Sequence, residues 1–502
     1  MRQTETLLPR VLLLSVLAVI VGMNCNGERV AVNDGFGWDG IIYRDIVCHL
    51  EEHYFSGGIN SYHMHRILPF AMIHFIIKWT GIGITDANIL RVAMWQNIVM
   101  LGLSVACFFR LSRLFRWKQT TEVMAFSLMF FTFPVLKYMG YYPLLTDTMA
   151  LFLSFATACC YFDRHLRHRS LWLSLLGIIS MTVWPVLSVV VLFLVALPSG
   201  KPCGAISSRT HSAPDLPTLT LRMVYVLWVP MAFAAYVWYR MCYRGADDIS
   251  DVFVRRPTSS VWLLPVAAAA WMAVMWRAAG MLLLPAKPLA GMLLERKNLC
   301  RLIASCAVFL LLYRATGCFG GPSVFSLTEE LVCMSQLPLT DVLIFLEAPF
   351  AYLGCFFLLT VCYWREICQE AHRHGMSILA VTMLALFFLA DTETRKLIAF
   401  YPFLLILLAN ALERRPFPRW MPATTILLQL ALSCFWLQIN TDGIAQAFAD
   451  DSIAGSMNFP AQRYFMFFGP WQSHQMYLLF LTVELVILAA LLLTKQRCKH
   501  EA

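Results

Sequence analysis

The sequence predicts an all-α, polytopic membrane protein: a bundle of about 12–14 transmembrane helices, with interfacial helices in its first outer loop. Of the 502 residues 59% are hydrophobic and only 14% are charged, and the mean hydropathy is +0.65. Apolar runs recur along the whole chain with short charged loops between them. This pattern excludes a soluble globular protein and a disordered one, and it favours a single multi-pass membrane domain over residues 1–502.

The candidate spans are apolar runs that approach the roughly 20 residues needed to cross a bilayer. In chain order they are 7–23, 88–109, 121–137, 144–162, 170–184, 186–198, 221–240, 260–276, 300–314, 341–363, 376–390, 396–411, 420–437 and 474–494. The first run is interpreted as an uncleaved anchor, because no small-x-small cleavage site follows it.

Lysine and arginine are retained on the cytoplasmic side of a membrane, so their positions predict the orientation. With both termini cytoplasmic, the inner segments collect basic clusters at Arg2 and Arg10, at Arg110, Arg113, Arg116 and Lys118, at Arg164, Arg167 and Arg169, and at Arg414, Arg415 and Arg419. The net charge of +9 is then explained by anchoring in the lipid bilayer, and no nucleic-acid partner is expected. Because Asn-x-Ser/Thr sequons are absent, a bacterial inner membrane is favoured, with the endoplasmic reticulum as the alternative.

The long outer loop at 24–87 holds the most informative segment. Asp34 and Asp39 lie there in a glycine-rich turn, and acids at the mouth of a membrane bundle are costly to desolvate unless they bind or react. One could act as a general base while the other binds a sugar or a cation; equally, both could be turn-forming residues that cap the next helix. Helical patterns follow at 41–54 and 63–79, suited to helices at the membrane surface.

Asp45, His49 and His53 recur every four residues on the first of these helices. Such a stripe could hold a divalent metal. It is also typical of the solvent-exposed face of an interfacial helix. These three residues are the candidate metal ligands that the sequence offers.

Two later outer segments carry further candidates. Arg395 and Lys396 lie between two apolar runs and could bind a phosphate on a lipid headgroup, unless they are only snorkelling anchors. Tyr142 and Asp147 belong to an aromatic mouth that could receive a sugar ring, although Asp147 could simply be a charge at a helix N-terminus.

With these residues in view, the chain resembles the GT-C superfamily of polytopic glycosyltransferases, which take a sugar from a polyprenyl-phosphate donor at the outer membrane face. The resemblance implies that Asp34 or Asp39 is the catalytic base or a metal ligand, and that Arg395, with Lys396, meets the donor phosphate. It places Tyr43, His65 and Arg66 in the same cleft and leaves open whether a divalent cation is required. The family's acids are usually closely spaced, whereas four residues separate them here, so which aspartate is catalytic stays open.

A transporter or flippase for a lipid-linked or small polar substrate is the alternative function. It predicts ionisable residues well inside the helices, and Glu347 and Glu484 are the candidates. A non-catalytic scaffold is a third interpretation, which only the acidic first loop disfavours.

Overall fold

A computed structural model describes residues 2–56, 58–197, 216–245, 252, 261–283, 295–318, 320–321, 327–414, 417, 420–440 and 474–500. In this part of the chain the regular structure is helical, and the one β-type pairing is an isolated bridge between Asn60 and Gly321. The predicted all-α class is therefore confirmed. The sequence also predicts a Pro/Ser-rich inner linker at 199–220 and outer loops at 241–259 and 438–473. Except for a few residues each, these segments lie outside the described residues.

The α-helices are numbered here in chain order. They are α1 (Arg2–Cys25), α2 (Gly37–Cys48), α3 (Leu50–Ser56), α4 (Ser61–Met64), α5 (Leu68–Thr80), α6 (Asp86–Phe115), α7 (Gln119–Phe130), α8 (Met139–Tyr141), α9 (Asp147–Phe162), α10 (Arg169–Met181), α11 (Pro185–Ala196), α12 (Leu216–Tyr243), α13 (Leu264–Leu282), α14 (Arg296–Gly317), α15 (Leu327–Gln336), α16 (Ile344–Leu353), α17 (Cys355–Cys362), α18 (Trp364–His374), α19 (Met376–Phe388), α20 (Tyr401–Glu413), α21 (Met421–Leu432) and α22 (His474–His500).

Six helical segments among the described residues are long and apolar enough to cross a membrane, and the number rises to eight if each of two bent pairs counts as one span. The six are Leu7–Cys25, Asp86–Phe115, Leu216–Tyr243, Val261–Leu282, Arg296–Gly317 and Met476–Lys495. Shorter apolar helices of 10–17 residues lie between them. A multi-pass membrane protein is thus confirmed, while the total of 12–14 spans stays a prediction.

Two predicted spans are not single straight helices. The run 121–137 bends by 53° between Phe130 and Pro134, where the proline cannot donate the helical hydrogen bond. The run 341–363 is divided at Gly354, whose φ of +60° does not continue a helix, and α16 turns by 94° from the helix before it. The apolar content of the sequence predicted that these two runs are helical. It did not predict where each helix is interrupted.

Polar contacts tie many helix ends together at one end of the bundle. They join Arg10 to Glu122 (2.7 Å), Arg110 to Asp163 (2.6 Å), Trp117 to Asn410 (2.8 Å), Lys118 to Glu413 (3.0 Å) and Lys495 to Glu366 (3.0 Å). The charge pattern of the sequence predicts that this end, which carries the basic clusters, is the cytoplasmic one. The glycine-rich turn lies at the opposite end of α6, where Arg44 pairs with Asp86 at 2.6 Å.

The first outer loop folds as a series of helices, as its patterns predicted. The helix expected at 41–54 begins earlier, at Gly37, and is divided at His49 into α2 and α3. The helix expected at 63–79 is α5, preceded by the single turn α4.

Candidate functional site

Two carboxylates and one guanidinium from distant parts of the chain meet at the end of the bundle that carries the glycine-rich turn. Arg395 donates from Nη2 to Asp39 Oδ2 at 3.4 Å, and its Nη1 lies 3.9 Å from Asp147 Oδ2. The side chains of Arg395 and Asp147 are 13% and 10% exposed, whereas that of Asp39 is 37% exposed. Arg395 therefore holds one buried acid and one acid that solvent or a substrate can reach.

Two glycines place Asp39 at this point. A Cβ on Gly37 would lie 2.4 Å from Tyr142 Cζ, and one on Gly40 would lie 3.1 Å from the same ring. The Gly40 N–H donates to Tyr142 Oη at 3.1 Å. The start of α2 can approach the tyrosine this closely only because both positions lack side chains.

Asp147 opens α9 next to the turn that carries Tyr142. Asn97 fixes that turn by donating to the Pro143 carbonyl at 2.8 Å. In the described part of the chain neither carboxylate oxygen of Asp147 is hydrogen-bonded to another residue, although both are buried. A buried carboxylate costs free energy unless it is compensated, and the compensation here comes from the Arg395 ion pair and the N-terminus of α9.

The segment that carries Arg395 is a 3₁₀ helix, Thr394–Ala399, fixed at both ends. Tyr401 Oη donates to the Thr394 carbonyl at 2.7 Å, and Ser154 Oγ donates to the Ala399 carbonyl at 2.8 Å. The backbone on both sides of Arg395 is thus held by side chains of α9 and α20.

An aromatic and basic group adjoins the ion pairs. Tyr43 is buried and stacks on Phe70 with ring centroids 3.9 Å apart. Arg66 lies over the rings of Tyr62 (4.1 Å) and Trp184 (5.3 Å) and hydrogen-bonds Tyr43. Arg66 acts electrostatically on both Asp147 and Arg395, so two guanidiniums share this pocket.

His63 also belongs to this group. Asn60 Oδ1 accepts from the His63 backbone N–H at 2.9 Å and lies 2.8 Å from Nδ1 of the ring. Since that oxygen cannot donate, Nδ1 carries the proton and Nε2 is an acceptor. Burial lowers the pKa of His63, with Asp39 opposing that shift, so the ring is neutral at pH 7. Burial likewise raises the pKa of Tyr142, which stays a hydrogen-bonding phenol.

A small pocket adjoins the ion pairs at Asp147. Its cavity volume is about 20 Å³, which is about the space that one water molecule needs. It is lined largely by apolar side chains, with Asp147 and three tyrosines among them: Asn97, Leu101, Met129, Pro134, Val135, Tyr138, Met139, Tyr142, Leu145, Asp147, Thr148, Leu151, Ile398 and Tyr401.

The structure brings together Asp39, Tyr43, Arg66, Tyr142, Asp147 and Arg395 of the candidates from the sequence. Asp34 is not among them: it is exposed in a left-handed turn at φ +53°, and no described contact joins it to Arg395 or Asp147. Lys396 points to a different group, with Glu330, Asp391 and Glu393 within 2.7, 2.8 and 3.3 Å. His65 is next to Arg66 in sequence but stacks on Tyr313 of α14 at 4.0 Å.

Three residues of the site were not chosen from the sequence: His63, Tyr138 and Tyr401. Both tyrosines lie within segments that the sequence singled out, so the aromatic mouth and the segment after Arg395 carried a signal for them. His63 was passed over because the pair His63-x-His65 is more often structural or on the surface.

No known protein-family model, no curated protein and no solved structure matches this chain.

Proposed function

We propose that the protein is a glycosyltransferase of the GT-C type, which moves a sugar from a polyprenyl-phosphate donor to an acceptor at the outer membrane face. The observation that carries this proposal is the meeting of Asp39, Asp147 and Arg395, with Asp147 also in the wall of a small, largely apolar pocket. Such a site offers a reachable base, a cation for a phosphate and an apolar wall beside them.

Asp39 is the base in this mechanism, since it is the acid of the pair that a substrate can reach. Its carboxylate takes the proton of the acceptor hydroxyl as that oxygen attacks the anomeric carbon. The bond from the anomeric carbon to the phosphate oxygen breaks, and its electron pair leaves with the polyprenyl phosphate. Phosphate is a good leaving group, so no separate acid is needed.

Arg395 and Arg66 stabilise the charge that develops on the phosphate. A guanidinium can bind two phosphate oxygens at once, and in a site with little water this contact stabilises the transition state strongly. Lys396 has three carboxylates around it, so we assign it to the structure of the loop and leave the donor phosphate to the two arginines.

A divalent cation fits poorly between Asp39 and Asp147, because the Arg395 guanidinium already contacts both carboxylates. Asp147 instead keeps Arg395 in place and offers its oxygens to a sugar hydroxyl. No step of this mechanism needs a metal ion.

Transfer from labelled polyprenyl-phosphate sugars by the purified protein in lipid nanodiscs tests the proposal. The informative pair is Asp39→Asn and Asp34→Asn, which make the same chemical change five residues apart. Asparagine tolerates the left-handed backbone at position 34, so the turn is retained.

Loss of a general base should slow transfer by about 10²–10⁴-fold in Asp39→Asn. Asp34→Asn should transfer at nearly the wild-type rate, and Arg395→Lys should be strongly impaired because an ammonium cannot make the bidentate contact. Equal losses in both aspartate variants would contradict the choice of Asp39, and wild-type protein that transfers from none of a broad set of donors would count against the enzyme.

The transporter remains the second candidate, and one observation favours it. Glu347 and Glu484 are fully or almost fully buried, at 0% and 3% exposure, in helices α16 and α22, which pack against each other. Flux of a polar substrate into liposomes that is lost in Glu484→Gln and retained in Asp39→Asn would support transport and oppose the enzyme.

A further inference from the structure

Asp45, His49 and His53 form a compact group on the first outer loop, at some distance from the site just described. Asp45 Oδ1 is 3.1 Å from His49 Nδ1, and Asp45 Oδ2 is 2.7 Å from His53 Nε2. One ligand atom of each residue lies within 4.8 Å of the other two. In the described part of the chain no other group of three or more histidine, cysteine or acidic side chains meets this criterion.

A bend in the chain brings the three side chains together. Residues eight apart on a straight helix are separated by about 12 Å along its axis, too far for a carboxylate and an imidazole to meet easily. Here α2 ends at Cys48, and His49 leaves the helical region with φ −123° and ψ 32°. The bend between α2 and α3 directs His53 back toward Asp45.

Among the described residues, no lysine or arginine forms a salt bridge with the Asp45 carboxylate. Arg44 pairs with Asp86 at 2.6 Å, and Lys78 pairs with Glu51 at 2.5 Å. In the described part of the chain, Asp45 itself pairs with the two imidazoles. The group thus offers one negative charge and two imidazole nitrogens to a ligand from the solvent.

We propose that Asp45, His49 and His53 bind a divalent transition-metal cation of the Zn²⁺ class. Imidazole and carboxylate are ligands that zinc accepts at about 2.0–2.2 Å, which places tetrahedral ligands roughly 3.3 Å apart, so small side-chain adjustments suffice. The side chains of Asp45 and His49 are each 53% exposed, and a water molecule completes the fourth position. Hard cations such as Mg²⁺ are disfavoured by the two nitrogen ligands.

The bound cation would fasten α3 to α2 across their bend. Asp39 lies in the first turn of α2, six residues before Asp45, or about 9 Å along the helix. The metal would therefore stiffen the element that carries Asp39 without touching the reacting groups. The proposal holds whichever reaction the Asp39 site performs.

Metal binding is measured on the full chain, purified with a tag that contains no histidine and stripped with a chelator. Zn²⁺ content after equilibrium dialysis gives the stoichiometry, and the visible absorption of added Co²⁺ reports tetrahedral coordination. The test variants are Asp45→Asn, His49→Gln and His53→Gln. Glu52→Gln and His165→Ala are the matched controls, since they remove an exposed acid and an exposed histidine outside the group.

Wild type and both controls should bind one Zn²⁺ per chain, and each test variant should bind it at least tenfold more weakly and lose the Co²⁺ absorption. Melting temperatures without metal should match among all six proteins, because the substituted side chains are on the surface. With metal, the melting temperature should rise in wild type and the controls only. Zn²⁺ binding that persists in the three test variants, or none in wild type, would overturn the proposal.

Discussion

At the scale of the residue, the contact between Gly37 and Tyr142 controls where the acid of the site lies. Gly37 and Gly81 share a φ of +72°, yet a Cβ on Gly37 would overlap the Tyr142 ring, whereas a Cβ on Gly81 would meet nothing within 4 Å. The two positions thus separate backbone strain from loss of packing.

Gly37→Ala should accordingly destabilise the protein more than Gly81→Ala does. Both changes carry about 1–2 kcal/mol of left-handed strain, and Gly37→Ala adds about 1–3 kcal/mol of overpacking. Melting temperature in detergent measures the difference. Equal melting temperatures for the two variants would mean that the ring moves aside without cost.

Asp147→Asn should retain the fold and lose most sugar transfer. The amide is nearly isosteric, but it removes the ion pair that helps to hold Arg395 at 3.9 Å. The expected loss in kcat exceeds any change in KM if Asp147 acts mainly through Arg395. A variant that melts like wild type and transfers at the wild-type rate would remove Asp147 from the site.

Single residues were predicted with uneven success, for a physical reason. The sequence could nominate Asp39, Asp147 and Arg395, because charge at the mouth of an apolar bundle is unusual. It could not choose between Asp34 and Asp39, since both belong to the same glycine-rich turn. The choice depends on which side of the turn faces Tyr142. That tyrosine is roughly a hundred residues away in the chain, so no local sequence pattern predicts the contact.

At the scale of the element, the chain after α1 is fastened to later segments by one carboxylate. Glu28 accepts from Lys137 Nζ at 2.7 Å and from the backbone N–H groups of Ile439 and Asn440 at 2.7 and 2.8 Å. The Lys137 side chain is only 7% exposed. No local pattern predicts this link, which joins three elements that are distant in the chain.

Glu28→Gln should lower stability by about 3 kcal/mol, because it leaves a buried ammonium without its counter-charge. Glu51→Gln, which breaks the exposed pair with Lys78, should have little effect. Thermal unfolding of both variants in the same detergent measures this contrast. An unchanged melting temperature for Glu28→Gln would show that solvent replaces the lost partner.

The loop before the 3₁₀ helix gives a prediction about pH. Burial raises the pKa of Asp391, and Lys396 only partly offsets that shift. The folded state then keeps a proton that the unfolded chain releases from about pH 4 upward, so stability declines as the pH rises toward the folded pKa.

Asp391→Asn removes this titration. The asparagine still has an oxygen that can accept the hydrogen bond from the Glu393 N–H, which Asp391 Oδ1 accepts at 3.0 Å. Its melting temperature should fall less than that of wild type between about pH 4 and pH 7. Asp34→Asn, an exposed acid, should follow the wild-type curve. Parallel curves for wild type and Asp391→Asn would contradict a raised pKa.

Helices were predicted well where apolar content decides and poorly where a single residue decides. Their existence follows from the length of the apolar runs. The breaks at Pro134 and Gly354 depend on a missing N–H and on a positive φ, which hydropathy does not register.

At the scale of the whole molecule, the grouping of polar contacts into two ends agrees with the charge bias of the sequence. Arg110, Lys118 and Lys495 make their contacts at one end, and Arg395 makes its contacts at the other. The direction in which this bundle crosses the membrane stays a prediction of the charge bias.

An epitope inserted after Gly83 should be reached by antibody from outside intact cells or spheroplasts, because the position belongs to the predicted outer loop and is exposed. An epitope after Arg167 should be reached only once the membrane is permeabilised. The reverse result would invert the orientation and place the Asp39 site in the cytoplasm.

The length of α6 has a consequence for where reactions occur. Its 30 residues span about 45 Å, whereas the hydrocarbon core of a bilayer is about 30 Å thick. A helix with this mismatch must tilt or project into the headgroup layer. A projecting outer end would raise Arg44, and with it the start of α2, to the level of lipid headgroups, where a lipid-borne phosphate could meet the site without leaving its leaflet.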